Sequence, residues 1–433
     1  MQAQYRDSRR ARAAGPAWRH LWAAAILIVF ASAAAPGALA ESQIVKGPYL
    51  VADVESGAVF EHHDALRPWY PASVSKLMTA YVTFRAIVAG EINPQSPVVI
   101  SKNAAAQPPS KMGFRPGTVL TVDNALKIIM VKSANDIALA LAEAVGGSEA
   151  GFAARMNAEA RRLGMSRSHF VNPHGLPDAR QVTSARDMAV LARALLTEFS
   201  QYRSYYNIPA IQYGKAVMKN YNSLVGRYPG TTGMKTGYIC ASGFNLVASA
   251  RRNGKEVVAV VFGSYSGLDR AERAAALLDE GFQAGGLFGR ARTSLANVAS
   301  GAGFSEPLDM RPEICTDRRR QAQEEIAAEP EFKTLPNGII VRTGGAVQQS
   351  HLGPPQYMGP PVRITLAGAA GEARTAAAPV PRTRPAAAEI PDYAGDMATA
   401  FAERPVVQAA SVTETAIREP GVPKPRPRPE AAR

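Results

Sequence analysis

Strand-like runs stand at both ends of the stretch 47–282, and helical spacing fills most of what lies between them. "GPYLVADVESGAVFEHH" sets apolar runs on either side of Glu55-Ser56-Gly57, which predicts a β-hairpin. Far downstream, "GTTGMKTGYICASGFNLVASARRNGKEVVAVVFGS" predicts further strands, with Asn253-Gly254 as a two-residue hairpin turn. Between them, helical spacing runs from Ser73 to Gly90, then through "TVDNALKIIMVKSANDIALALAEAVGG" with an interruption near Ser133. Two more helices are predicted at Ser148–Leu163 and Ser184–Phe199, and a last one at about 267–282. Residues 104–120 read as a loop, punctuated by Pro108, Pro109, Pro116 and Gly117. Strands supplied by both ends of a chain must meet to bury their apolar faces. The expected class is therefore α+β, an antiparallel sheet with helices packed on it.

Within that frame, "PASVSKLMT" puts Ser73 and Lys76 three residues apart at a helix start. Residues so spaced share a helix face, so a hydroxyl and an amine can meet there. A serine hydroxyl attacks only when a base takes its proton. A lysine serves as that base once burial or a second cation lowers its pKa. Taken alone, Ser73 reads equally as a helix cap. Two further elements change the balance. "VKSANDIA" carries Ser133, Ala134 and Asn135 at the helix break, and "GMKTGY" carries Lys235, Thr236 and Gly237 on a predicted strand. Gly237 offers no side chain to obstruct a substrate lying alongside. S-x-x-K, S-x-N and K-T-G in this order form the motif set of the penicillin-interacting serine enzymes.

On these motifs, together with "SANDIALALAE", "FVNPHGLPD", "TSARDMAVLARALL" and "KTGYICASGFNLVASA", the chain resembles the serine-type D-alanyl-D-alanine carboxypeptidases over about residues 45–285. These are the low-molecular-mass penicillin-binding proteins (peptidase S11-like). The resemblance implies a β-lactamase/transpeptidase-like fold: a five-stranded antiparallel sheet flanked by helices, with the site between the sheet and an all-helical lobe. It implies a hydrolase that removes the terminal D-alanine from peptidoglycan stem pentapeptides, β-lactams as covalent inhibitors, and no cofactor or metal. By motif position, Ser73 is the nucleophile, Lys76 the general base and Ser133 a proton relay. Asn135 would hold the substrate amide. Lys235 and Thr236 would bind the terminal carboxylate, beside Gly237. The backbone N–H groups of Ser73 and Tyr238 would form the oxyanion hole.

Three rivals share parts of this machinery. A class A β-lactamase needs a Glu-x-x-Leu-Asn element between the second and third motifs, and the sequence has none there. A DD-endopeptidase cutting peptidoglycan cross-links would use the same residues. A non-catalytic β-lactam or wall-binding sensor would not need all three motifs intact. Of the other candidates, His174 reads as a general base or as part of a supporting turn, and we take the second. His62-His63-Asp64 reads as an exposed loop rather than a metal site, and Arg186 as a structural ion pair.

Residues 1–40 have a five-arginine start, an apolar run from Leu21 to Ala35 and the small-residue site Ala38-Leu39-Ala40. This pattern predicts a signal peptide cleaved after Ala40 and a periplasmic enzyme; an N-terminal membrane anchor is the alternative. Without that leader the formal charge of +13 falls to +9. No clustered basic face with aromatic partners points to nucleic acid. A basic exported protein fits anionic wall polymer or lipid heads, or simply solubility. Cys240 and Cys315 form an even pair in such a compartment and are a candidate disulfide, two buried thiols being the alternative. The expected organisation is a catalytic domain over 41–290, a poorly defined extension over 291–352 with a short hairpin near "PNGIIVRTGG", and a disordered tail over 353–433. That tail holds 14 of the 32 prolines, too many for an amphipathic helix, and its basic end is expected to touch wall or membrane weakly or not at all.

Overall fold

The computed structural model describes residues 47–284, 293–299, 304–315, 332–334, 340–342 and 350–367. The expected leader (1–40) and the tail from 368 lie outside the described residues. The elements run β1 (Tyr49–Asp53), β2 (Ala58–His63), α1 (Lys76–Val88), β3 (Pro97–Val99), α2 (Lys102–Ala106), β4 (Val119–Thr121), α3 (Val122–Val131), α4 (Asn135–Gly146), α5 (Glu149–Arg162) and α6 (Ala185–Thr197). They continue as β5 (Ala210–Tyr213), β6 (Ala216–Lys219), β7 (Thr231–Ile239), β8 (Gly243–Arg252), β9 (Lys255–Ser264) and α7 (Gly267–Ala284). Short pieces follow: β10 (Thr293–Ser294), α8 (Arg311–Ile314), β11 (Phe332–Thr334), β12 (Ile340–Arg342) and β13 (Val362–Arg363).

The main sheet has the order β10-β2-β1-β9-β8-β7 and is antiparallel throughout. Five long strands match the expected count. The sixth, Thr293–Ser294, adds two residues at the far edge beside Ala58 and Val59. The first strand of the domain pairs with β9, so the sheet closes only when both ends of the chain have met. Asn253 and Gly254 have φ of 50° and 82°, the left-handed pair that a two-residue hairpin turn requires.

The centre of the sheet is covered on both faces, which explains its near-continuous apolar sequence. On one face Val258, Val260 and Phe262 join the large core built on α1, α3, α4 and α6. On the other, Val257, Ala259 and Val261 meet Ala271, Ala274, Ala275 and Leu278 of α7. Small residues let this helix approach closely: a Cβ at Gly281 would stand 2.6 Å from Val257 Cγ1. Helices α5 and α6 carry serine caps at their starts. Ser148 and Ser184 accept from Gly151 N and Asp187 N at 3.0 and 3.1 Å, caps worth about 1 kcal/mol each. Arg186 makes the expected ion pair, with Asp187 at 3.0 Å, and also donates to the carbonyl of Leu295. Among the described residues no single helix is long and apolar enough to cross a membrane.

Two regions depart from the sequence reading. Residues 200–230 carry a 3-10 helix, Ser200–Asn207, and the β5-β6 hairpin, neither of which has a clear periodic signal. Residues 350–367, the last fifteen of which fall in the expected disordered tail, are docked instead. Val362–Arg363 pairs in parallel with Ile211–Gln212, and Leu352 and Ile364 are buried. Backbone hydrogen bonds and a few anchoring side chains secure this segment, so composition alone does not reveal it.

Cys240 and Cys315 are bridged, 75 residues apart. Closing a loop of that length removes denatured-state entropy. Cys315→Ser is expected to lower unfolding free energy by about 2–4 kcal/mol. Urea melts of the variant, and of wild type with and without reductant, check this; coincident midpoints would mean the bridge contributes nothing.

Candidate active site

Ser73 does not cap its helix. It sits in a 3-10 turn, Ala72–Ser75, and α1 follows at Lys76; neither helix start has a side-chain cap. Three parts of the fold hold this turn. Asn245 of β8 donates its side-chain amide to the carbonyls of Tyr70 and Pro71 at 2.9 and 3.2 Å. Trp69 exchanges backbone hydrogen bonds with Thr183, and its indole donates to the carbonyl of Ser242. Gly175 lies so close that a Cβ would fall 1.8 Å from the Ala72 carbonyl oxygen. Ala72 itself has φ of 49°, a conformation costly for a side chain and sustained by these neighbours.

Gly237 of β7 presses on the same turn. A Cβ there would stand 2.9 Å from Val74 N and Pro71 O and 3.0 Å from Ser73 N. Contact between two backbones by itself requires glycine here. Its position, one residue before Tyr238, brings the two expected oxyanion donors, Ser73 and Tyr238, into the same neighbourhood. The Tyr238 hydroxyl lies 3.3 Å from Cys315 Sγ, so the disulfide packs directly behind this part of β7.

Lys76 has no exposed surface. Its Nζ lies 3.0 Å from Ser73 Oγ, 2.8 Å from Asn135 Oδ1 and 2.7 Å from the carbonyl of His174. Burial pushes its pKa well down, the Lys235 charge pushes the same way, and Asp136 opposes them. A neutral amine has two N–H donors and one lone pair. Asn135 and His174 are obligate acceptors here, so the lone pair is left facing Ser73, whose hydroxyl can donate to it. This is the geometry a serine and its base require.

Ser133 ends the break between α3 and α4 in a left-handed conformation, φ 61°. Its Oγ is buried and has no partner among the described residues. Asn135 starts α4, and its amide is doubly engaged: Oδ1 accepts from Lys76 and Nδ2 donates to Pro108 O at 3.0 Å. Lys235 and Thr236 are buried on β7, the edge strand of the main sheet, and Lys235 Nζ donates to the Thr236 carbonyl at 2.9 Å. All three motifs therefore converge on one site.

His174 contributes its carbonyl to Lys76, as a supporting turn would. Its ring is buried: Nδ1 accepts from Leu176 N at 3.2 Å and Nε2 lies 3.4 Å from Glu149 Oε1. Burial lowers its pKa. Asn172 and Gln181 brace this turn, Gln181 Nε2 also donating to Ser75 Oγ. The sequence reading missed Asp136. It is fully buried and accepts from Met112 N and Gly113 N at 3.0 and 2.9 Å, pinning the 107–118 loop beside the site. A carboxylate in the first turn of a helix was its available signal. Asn245 had none. His62 and His63 close β2, paired with Leu50 and Tyr49 of β1 rather than lying in a loop; His63 stacks on Tyr49, and Asp64, just after the strand, pairs with Arg67 at 3.5 Å.

Comparison with known proteins agrees with this arrangement. A D-alanyl-D-alanine carboxypeptidase DacF of Bacillus subtilis is 34% identical over 234 residues, 53% of this chain and 60% of that protein. DacC of Escherichia coli is 32% identical over 293 residues, 65% of this chain and 70% of its own length. Penicillin-binding protein 5 of Haemophilus influenzae superposes with a TM-score of 0.53 at 32% identity, covering 56% of this chain and 72% of that one. Penicillin-binding protein D2 of Listeria monocytogenes, in its cefotaxime-bound form, gives 0.50 at 26% identity over 55% and 96% of the two chains. Residues 33–266, more than half of the chain, match the model of the S11 peptidases, described as D-alanyl-D-alanine carboxypeptidase, and it is to this family that the chain belongs.

Proposed function

We propose that this protein is a serine D-alanyl-D-alanine carboxypeptidase that trims peptidoglycan stem pentapeptides. The observation that carries the reading is the buried Lys76 amine, its pKa lowered, 3.0 Å from Ser73 Oγ. Lys76 takes the Ser73 proton as Oγ adds to the carbonyl carbon of the penultimate D-alanine. Backbone N–H groups of Ser73 and Tyr238 stabilise the developing oxyanion. The C–N bond then breaks, and the Ser133 hydroxyl, without a partner among the described residues, relays a proton to the leaving amine of the terminal D-alanine. Lys235 and Thr236 hold that residue's carboxylate. Water hydrolyses the acyl-enzyme and returns Ser73. Asn135 keeps a second N–H on Nδ2 and a second lone pair on Oδ1, so it can hold a substrate amide without giving up either internal hydrogen bond.

β-Lactams acylate the same serine in this proposal, in keeping with the cefotaxime-bound form of the Listeria protein. We place the enzyme in the periplasm, its leader removed after Ala40, on the strength of the N-terminal pattern. Residues 368–433 carry nine basic and eight acidic side chains, so only the end, with Lys424, Arg426, Arg428 and Arg433, has charge suited to weak contact with an anionic surface.

The deciding experiment gives the protein a disaccharide pentapeptide and a cross-linked muropeptide dimer. Release of one D-alanine from the pentapeptide, lost by at least about 1,000-fold in Ser73→Ala together with penicillin labelling, is the expected result. Dimer cleavage without D-alanine release would make it an endopeptidase instead. The acylation rate is expected to rise with pH as Lys76 loses its proton and to level off well below the ordinary lysine range. Lys235→Gln removes a neighbouring cation, which favours protonated Lys76. The acid limb should therefore move to higher pH, beyond any loss of carboxylate binding. An unmoved limb in the pH profile of penicillin acylation would show that Lys235 does not tune the base.

A further inference from the structure

Residues 350–367 run from α7 past the 220–230 loop to the β5-β6 hairpin and on to β4. At one end His351 N donates to Glu272 Oε2 at 2.9 Å, and His351 Nδ1 lies 3.1 Å from Asp279 Oδ2. Midway, Gly353 and Gln356 donate to the carbonyls of Arg227 and Gly226 at 3.0 and 2.7 Å. At the far end Ile364 N donates to Gln212 O and Ala367 N to Val119 O, at 2.8 and 2.9 Å. Asn124 of α3 donates its amide to the Thr365 carbonyl at 2.9 Å.

Both elements that this strap grips reach the second motif. The ring of Tyr213, next to Gln212, packs edge-on against Phe114 at 5.0 Å. Phe114 follows Met112 and Gly113, whose N–H groups bind Asp136, and the same loop gives the Ser110 and Pro108 carbonyls to Asn135. On the other side, the 220–230 loop presents the Tyr221 hydroxyl to Lys132 Nζ at 2.8 Å, one residue before Ser133. Ser133 and Asn135 are thereby braced from two directions by loops that the strap ties down.

We propose that residues 350–367 are a positioning segment of the active site: they hold the 107–118 loop, and through it Ser133 and Asn135, in register with Lys76. The catalytic unit then extends at least to residue 367, about 130 residues past the last motif-bearing strand. This rests on the carboxypeptidase reading for its kinetic consequence, but not for its structural one. A cover that only buries apolar surface would stabilise the fold and leave the site indifferent. A positioning segment makes loop order and acylation depend on it, through contiguous packed contacts.

The test uses the full chain with Ile364→Asp, which puts a charge at a position 5% exposed, with Ile364→Leu as the conservative control and Tyr213→Leu, which leaves the strap in place. Hydrogen exchange is followed over 107–118 and 350–367, together with acylation by a fluorescent penicillin, below the melting point of each variant. Ile364→Asp should open 350–367, speed exchange across 107–118 and slow acylation about tenfold. Ile364→Leu should stay within about twofold of wild type. Tyr213→Leu should reproduce part of the loss with 350–367 still protected. Unchanged exchange across 107–118 once the strap has opened overturns the inference. If Ile364→Asp does not fold, wild-type exchange and acylation in Tyr213→Leu overturn it. A wild type that takes no penicillin would sink the carboxypeptidase reading, while the exchange data still decide whether the strap orders the loop.

Discussion

An ammonium held without exposure and without a counter-ion in contact is costly enough that a buried lysine tends to give up its proton. Lys76 is in this condition, with carbonyl-type oxygens and a serine hydroxyl as its partners rather than a carboxylate. Much of the surrounding architecture follows from keeping it so. The large core on α1 excludes water, and the His174 turn closes over it, with Gly175 pressed against Ala72. The Asn135 amide is oriented by the Pro108 carbonyl so that its oxygen, rather than its nitrogen, faces Lys76. Turned the other way, the amide would present an N–H to the amine and compete with the Ser73 hydroxyl for its single lone pair.

The sheet serves the same end by bringing remote parts of the chain to one turn. β8 supplies Asn245 to the residues before Ser73, and β7 supplies Gly237 to the residues on either side of it. Since β1 pairs with β9, the nucleophile turn, which follows the first hairpin, is fixed against strands formed about 160 residues later. The site therefore cannot assemble before the domain does. Its backbone strain at Ala72 is maintained by tertiary contacts rather than by local sequence.

Sequence made legible what depends on local pattern. The helix break at Ser133, the Asn253-Gly254 turn, the caps at Ser148 and Ser184 and the three motifs all have short-range signatures. The backbone contact at Gly237 escaped because the missing side chain is answered by a stretch of chain about 160 residues away, which no local pattern reports. Asn245 and Tyr213 escaped for the same reason. Each is an ordinary strand residue whose role exists only once its partner arrives. Residues 350–367 were hidden differently. Their composition resembles the proline-rich chain that follows, and they dock by main-chain bonds, which any sequence without the wrong residues can make.

Asp136 shows how these demands compete within one side chain. Its negative charge favours protonated Lys76 and so works against the base. Yet the carboxylate is also the anchor for Met112 and Gly113, and without it the loop that orients Asn135 would lose its inner attachment. The conflict is eased by where its charge is directed. Backbone N–H groups of Met112, Gly113 and Ile137 all point at the carboxylate, and the N-terminus of α4 adds the positive end of its dipole. Those donors share the charge of the carboxylate, while Lys235 pushes the Lys76 pKa in the opposite direction. Burial and Lys235 together outweigh Asp136, and the amine stays a base without giving up the carboxylate that holds its neighbour in place.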